Sequence, residues 1–437
     1  MTNSTYRRVA LAYSGGLDTS IIVPWLKENY GCEVVAYCAD LGQGDELDDL
    51  HDRARLIGAA EVILEDLRLP FLTDYAFAAL KAGALYEGRY LLGTALARPL
   101  IAERQVAAAR ATGCDALAHG CTGKGNDQVR FELTAMALAP DLPIIAPWRE
   151  WDIASREDAL AYAARHGIPV KQTSGDLYSR DANLWHLSHE GGVLEDPANP
   201  APESIYRLTA ASAVRPSQPD TLDVTFEAGI PVALDGVTLD PVTLVARLNL
   251  LAGRHGVGRA DLVESRLVGM KSRGVYETPA GTALYEALED LARLVLPHDL
   301  HRTRAQMALT LADLIYNGLW FSPLRRSLSA FFDEAMSVAS GTVTLEFHQG
   351  QVRAVARTSP NTLYDNALAS FDMAGYRPED AGGFIRLFGL PMVASSRQVR
   401  HGDVDTVKVA PATVATPNVA PATVVAAPGE VLLHDNG

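Results

Sequence analysis

The chain is predicted to be α/β, a doubly wound parallel sheet followed by an α+β part and a C-terminal segment, and three observations carry that prediction. Between Val9 and Ala146, short apolar runs alternate with amphipathic stretches at helical spacing. The first of these runs, Val9-Ala10-Leu11-Ala12-Tyr13, opens straight into a glycine-rich polar turn. Beyond Gly167-Ile168-Pro169 the spacing changes, and alternating segments around Ala228-Gly229 and Gln349-Gly350 mix with long helical patterns.

The turn is Ser14-Gly15-Gly16-Leu17-Asp18-Thr19-Ser20. Its glycines let backbone N–H groups converge, and Thr19 and Ser20 place hydroxyls at the positive end of the following helix dipole. A plain structural turn needs no carboxylate and no pair of hydroxyls within four residues, so the stretch reads as a phosphate cradle in a nucleotide-binding domain. Asp18 fits two roles, capping the helix or helping to hold the magnesium ion that accompanies a polyphosphate. Helix Asp18 to Tyr30 buries Ile21, Ile22, Trp25 and Leu26, ends at Gly31, and is expected to bend at Pro24. Cys32 to Ala39 reads as a second buried strand, and its carboxyl end places Ala39 beside the first loop. A polar turn from Asp40 to Asp45, a helix from Glu46 to Gly58, a strand from Glu61 to Glu65 and a helix from Pro70 continue the alternation.

Arg89 to Pro99 leads into an alanine-rich helix ending near Ala111, where Tyr90 and Arg98 read as structural residues. Strand Ala116 to Ala118 then delivers the densest polar stretch, His119-Gly120-Cys121-Thr122-Gly123-Lys124-Gly125-Asn126-Asp127-Gln128-Val129-Arg130-Phe131-Glu132. Lys124 is followed by glycine rather than Ser or Thr, which rejects a Walker loop. Arg130 suits a ligand carboxylate through two parallel hydrogen bonds, while Asn126 and Asp127 suit an ammonium or amide. Together they predict an amino-acid recognition surface.

Pro143 to Ala146 reads as the last strand of this domain, assigned residues 1–168. Thr173 to Gly192 is too irregular for a strand and too polar for core. A hairpin over Leu222 to Val237, a helix over Val242 to Gly253, a glycine- and charge-rich stretch from Glu264 to Pro279, helices Ala280 to Val295 and Leu300 to Asn317, and a hairpin Thr342 to Thr358 complete residues 169–360. Residues 361–390 form a C-terminal segment. Residues 391–437, rich in Ala, Pro, Val and Thr, read as an extended tail.

Composition narrows the ligand class. The 437 residues carry a formal net charge of -15, which argues against non-specific contact with nucleic acid or anionic membrane. No apolar run is long enough to span a bilayer, the N-terminal residues lack a signal-peptide core, and a cytoplasmic protein is expected. Four cysteines, Cys32, Cys38, Cys114 and Cys121, are too few for a disulfide framework and lack zinc-site spacing, so reduced core thiols are expected.

With Ser14 to Ser20, Thr122 to Glu132 and Gly269 to Gly281 in place, the sequence from about Arg7 to Phe388 resembles the argininosuccinate synthase family of the ATP pyrophosphatase group. The resemblance implies an ATP-dependent ligase of arginine biosynthesis that joins citrulline to aspartate through a citrulline adenylate, releasing AMP and pyrophosphate. It implies ATP on Ala12, Tyr13, Ser14, Gly15, Gly16, Leu17, Asp18, Thr19, Ser20, Ala39 and Gly120, with Mg²⁺ as companion ion. Aspartate would contact Thr122, Asn126 and Asp127. Citrulline would contact Tyr90, Asn126, Arg130, Ser179, Ser188, Glu264 and Tyr276. Asp127 and Asp18 are the candidate catalytic carboxylates. Some members have serine where this chain has Ala95. The resemblance also implies a homotetramer, with 169–360 as synthetase domain and 361–390 as oligomerisation segment. Two rivals are a tRNA-modifying enzyme of the same fold, which would be expected to carry a basic surface, and a nucleotide-binding sensor, which would not need the second polar surface.

Overall fold

Five strands build the N-terminal sheet, with apolar, buried centres in β1, β2 and β4: β1 (Arg8–Ala12), β2 (Glu33–Asp40), the more exposed edge strand β3 (Glu61–Asp66), β4 (Ala116–His119) and the two-residue β5 (Ile144–Ile145). All pair in parallel in the order β3-β2-β1-β4-β5, so the predicted doubly wound sheet is present and its order reverses between β1 and β4. This computed structural model describes residues 6–47, 49–153, 155–169, 178–370 and 376–399.

Several elements differ from the expectation. The first helix, Leu17–Tyr30, runs through Pro24, whose ring removes one backbone donor from an otherwise buried helix without ending it. The expected helix from Glu46 to Gly58 is a 3-10 turn, Gly44–Leu47, and a shorter helix, Leu50–Leu56, because Asp49 takes a left-handed conformation at φ 57°. The stretch after Pro70 is a π-helical turn, Phe71–Ala76, continuing as helix Phe77–Ala82. The alanine-rich helix is Gly93–Thr112 and includes Pro99.

The polar stretch read as irregular contributes two strands, β6 (Ser179–Ala182) and β7 (Leu187–Glu190); the expectation for 170–177 lies outside the described residues. The first predicted hairpin is β8 (Asp220–Glu227) and β9 (Ile230–Leu234), and Ala228 and Gly229 take positive φ between them. A short β10 (Val237–Thr238) follows, then helix Pro241–Arg254. The charged Glu264 to Pro279 stretch is the end of β11 (Arg259–Ser265), a turn, and β12 (Lys271–Glu277). Helices Pro279–Val295, His298–Tyr316 and Pro323–Ala335 precede the last hairpin, β13 (Gly341–His348) and β14 (Gln351–Thr358). The helix at Pro323–Ala335 has no counterpart in the sequence reading.

Two antiparallel sheets result, β10-β9-β8-β13-β14 and β11-β12-β7-β6. Helix Pro279–Val295 buries Ala280, Ala283, Leu284, Ala287, Leu288, Leu291 and Val295, an apolar stripe at three- and four-residue spacing. That stripe joins Phe71 and Phe77 with Trp185, Phe226, Phe332 and Phe347 in one core, so the chain up to Asp365 is a single compact unit. The second unit begins at Asn366 and contains helices Pro378–Phe388 and Leu390–Val399. The tail is therefore helical, not extended, over its first residues, because Pro391 stands in the first helical turn, where proline is tolerated. The rest of the expected tail lies outside the described residues. Among the described residues no helix is long and apolar enough to cross a membrane.

Candidate active site

A cleft of about 860 Å³ opens at the carboxyl ends of β1, β2 and β4. Its first wall is the loop after β1. Ser14 Oγ lies 3.1 Å from Thr19 Oγ1, Ser14 N donates to the same oxygen at 3.3 Å, and Ser20 N donates to Gly16 O at 3.0 Å. Arg53 ties the loop down by donating to Gly15 O at 3.2 Å. Gly120 at the end of β4 closes against this loop: a Cβ there would sit 2.9 Å from Thr19 Cγ2 and 3.2 Å from Ile22 Cδ1. Asp18 also lines the cleft. Burial pushes its carboxyl up against the pull of Arg156, and no described residue hydrogen-bonds it.

The second wall is helix Asp127–Leu138 with the loop before it. Asp127 Oδ2 accepts from Arg98 Nε at 2.8 Å and Oδ1 from Arg130 Nη1 at 2.8 Å. Burial works to raise the Asp127 carboxyl, but the two guanidiniums outweigh it and hold it below its ordinary value. Arg98 also reaches Asp181 Oδ2 at 2.9 Å. Arg130 is buried, donates from Nε to Tyr316 O at 3.0 Å, and lies over the Tyr316 ring at 4.9 Å. Two of its nitrogens are thus engaged by the protein, which leaves fewer free donors than the open fork that the sequence suggests. Asn126 Oδ1 accepts from Leu267 N at 2.9 Å, which joins this loop to the β11–β12 turn.

The third wall follows from strand register. Asp181 pairs with Ser188, Ser188 with Tyr276, Ser179 with Glu190, and Glu264 with Ser272. Side chains alternate along a strand, so Ser179, Asp181, Ser188, Glu190, Glu264 and Tyr276 share one face, and all six line the cleft. Tyr276 donates to Glu264 at 2.9 Å and Tyr316 donates to it at 2.6 Å. Tyr90 stacks on Tyr276 with ring centres 4.4 Å apart.

Behind this face His186 Nε2 lies 2.9 Å from Thr94 Oγ1, which itself donates to Asp181 at 2.7 Å. The hydroxyl has one proton, so the imidazole is the donor to Thr94. Burial lowers the His186 pKa to about 4. An unfolded histidine titrates near 6.5, so between these values the unfolded chain binds more protons, and stability declines as pH falls from about 6.5 to 4, by up to ~3 kcal/mol. Urea unfolding at pH 7 and pH 5 is expected to show that decline, and His186→Gln to reduce it.

The cleft brings together nearly all the residues proposed from the sequence: Ala12, Tyr13, Ser14, Gly15, Gly16, Asp18, Thr19, Ala39, Tyr90, Gly120, Thr122, Asn126, Asp127, Arg130, Ser179, Ser188, Glu264 and Tyr276. It does not include Leu17, which packs partly buried against the core beneath the sheet, or Ser20, which is buried and bonded to Tyr13 Oη at 3.2 Å. Arg98, read as structural, lines the cleft, as do Asp181, Glu190, Arg266 and Tyr316, which the sequence does not single out for the site. Cys121 is partly buried and lines the cleft rather than the core, and burial pushes its thiol up.

Residues 8–169 match the arginosuccinate synthase N-terminal HUP domain and residues 178–395 the arginosuccinate synthase C-terminal domain. The chain is 55% identical over 386 residues to the argininosuccinate synthase of Pelotomaculum thermopropionicum, covering 88% of this chain and 96% of that protein. It is 53% identical over 388 residues to the chloroplastic argininosuccinate synthase of Arabidopsis thaliana, covering 88% of this chain and 78% of that protein, and 53% identical over 392 residues to the Roseiflexus castenholzii enzyme, covering 89% and 98%. A solved U34-tRNA thiolase from Methanococcus maripaludis overlaps 40% of this chain and 61% of its own at 15% identity and TM-score 0.27, too little to bear on either fold or function. The family models span most of the described chain, and the chain belongs to the argininosuccinate synthase family.

Proposed function

We infer that this cleft joins citrulline to aspartate at the expense of ATP, forming argininosuccinate, AMP and pyrophosphate in arginine biosynthesis. The observation that carries the reading is the meeting, in one cleft, of a phosphate-type loop and a surface bearing Arg130, Asp127 and Glu264. We place ATP on Ala12 to Gly16, Asp18 and Thr19 with Ala39 and Gly120, aspartate on Thr122, Asn126 and Asp127, and citrulline on Tyr90, Asn126, Arg130, Ser179, Ser188, Glu264 and Tyr276. Asp18 suits a Mg²⁺ ion carried in on the polyphosphate: its carboxylate is partly buried and accepts no hydrogen bond from the described residues. Among those residues no cluster of three or more His, Cys, Asp or Glu could hold a metal unaided. When bound, the ion would offset charge on the departing pyrophosphate.

The ureido oxygen of citrulline attacks the α-phosphorus and pyrophosphate leaves, so the oxygen becomes part of a good leaving group. The aspartate amine then attacks the ureido carbon and AMP departs with that oxygen. Such chemistry needs positioning and charge neutralisation rather than a protein nucleophile. A pyrophosphate assay with ATP and citrulline, with and without aspartate, tests the reading. Release that depends on citrulline is expected; release independent of citrulline contradicts it and favours a different adenylating enzyme.

Gly120→Ala pushes Thr19 away from Ser14, and the KM for ATP is expected to rise by about tenfold with the KM for aspartate changed less than about twofold. Steady-state kinetics reads the split. We also propose a homotetramer assembled in part through the C-terminal segment, supported by the exposed Phe384, Ile385, Leu387 and Phe388 on helix Pro378–Phe388. The four unpaired thiols are in keeping with a reducing compartment, in our reading the cytoplasm.

A further inference from the structure

Tyr316 closes helix His298–Tyr316 and is fully buried at the edge of the cleft. It holds two oppositely charged side chains at once. Its hydroxyl donates to Glu264 Oε1 at 2.6 Å, while its backbone carbonyl accepts from Arg130 Nε at 3.0 Å and its ring carries the Arg130 guanidinium at 4.9 Å. The ring itself is clamped: it stacks on Tyr86 with centres 3.6 Å apart and 5° between planes, and meets Tyr90 edge-on at 6.3 Å. The turn that follows is fitted to the same spot, because Gly318 sits at φ 75° and a Cβ there would come within 2.8 Å of Arg130 Cα.

The head of an α-amino acid is an ammonium and a carboxylate at a short, fixed separation. Recognising both requires an anion and a cation held at a matching separation, and free Glu and Arg side chains lose that match to rotamer freedom. Charge-assisted hydrogen bonds from two phenols aim the Glu264 carboxylate, and the stacked, hydrogen-bonded guanidinium cannot swing away.

We propose that Tyr316 is a positioning residue that sets Glu264 and Arg130 as a matched pair for the α-ammonium and α-carboxylate of citrulline. The inference rests on the placement of citrulline given above. Tyr316→Phe keeps the ring stack and the carbonyl and removes one hydrogen bond.

Its KM for citrulline is expected to rise by about tenfold, with kcat changed less than about threefold and the KM values for ATP and aspartate within about twofold. The unchanged enzyme should prefer citrulline to 5-ureidopentanoate, which lacks the α-ammonium, and Tyr316→Phe should reduce that preference by about tenfold. Glu264→Gln is measured alongside. If Glu264→Gln weakens citrulline and reduces the preference while Tyr316→Phe changes neither, the positioning role is overturned and the citrulline placement stands. If Glu264→Gln leaves the citrulline KM unchanged, the placement itself fails and takes the proposal with it. An equal rise in all three KM values in Tyr316→Phe also overturns the proposal, since it reports general loss of the site.

Discussion

Asp127→Asn is expected to release pyrophosphate from ATP and citrulline within about tenfold of the normal rate, while argininosuccinate formation falls by about 10²- to 10³-fold. The asymmetry follows from where the carboxylate sits. Arg98 and Arg130 each donate to one of its oxygens at 2.8 Å, and together they keep it ionised despite burial. A carboxylate held that way is a weak base, and in the proposed placement of aspartate its remaining lone pairs would orient the incoming amine. Asparagine keeps the shape and one acceptor, removes the charge, and turns an N–H donor toward one of the two guanidinium donors. Single-turnover assays with labelled ATP separate the two steps. Equal loss in both would show that Asp127 serves only to hold the arginines.

Gly16→Val is expected to reduce citrulline-dependent pyrophosphate release to below about 1% with the urea midpoint unchanged, because a displacement of about 1 Å at a reacting group already costs about 10²-fold. Gly16 has φ -73° and ψ 171°, a conformation valine adopts readily, and an added Cβ meets only Ser14 Oγ at 3.5 Å. The fold therefore accepts the side chain, and the isopropyl group fills space beside the loop amides. Gly15 is the poorer test: it stands at φ 78°, and a Cβ would lie 3.2 Å from both Arg53 Nη2 and Leu50 Cδ1. Retained adenylation in Gly16→Val would reduce the loop to a turn.

The first loop is legible in the sequence because its chemistry is contiguous: strand, glycines, carboxylate and hydroxyls fall within Val9 to Ser20. The third wall is not. Ser179, Ser188, Glu264 and Tyr276 come from four strands, and only the register of β6, β7, β12 and β11 puts them on one face. A polar face toward a ligand also erases the apolar alternation that marks a strand, which is why Ser179–Ala182 and Leu187–Glu190 read as irregular. Those four positions came from family resemblance, not from pattern. Arg98 is hidden for a related reason: it sits inside an alanine-rich helix, and only the folded chain shows Asp127 and Asp181 converging on it. Tyr316 ends a helix read simply as helical, and nothing local marks its link to Glu264, 52 residues earlier.

The central claim is that this cleft activates citrulline by joining its ureido oxygen to the α-phosphorus of ATP. Citrulline labelled with oxygen-18 in the ureido group, turned over with ATP and aspartate and followed by mass spectrometry, tests it directly. The label is predicted to appear in AMP, one atom per argininosuccinate formed; label in pyrophosphate, or unlabelled AMP, would contradict it.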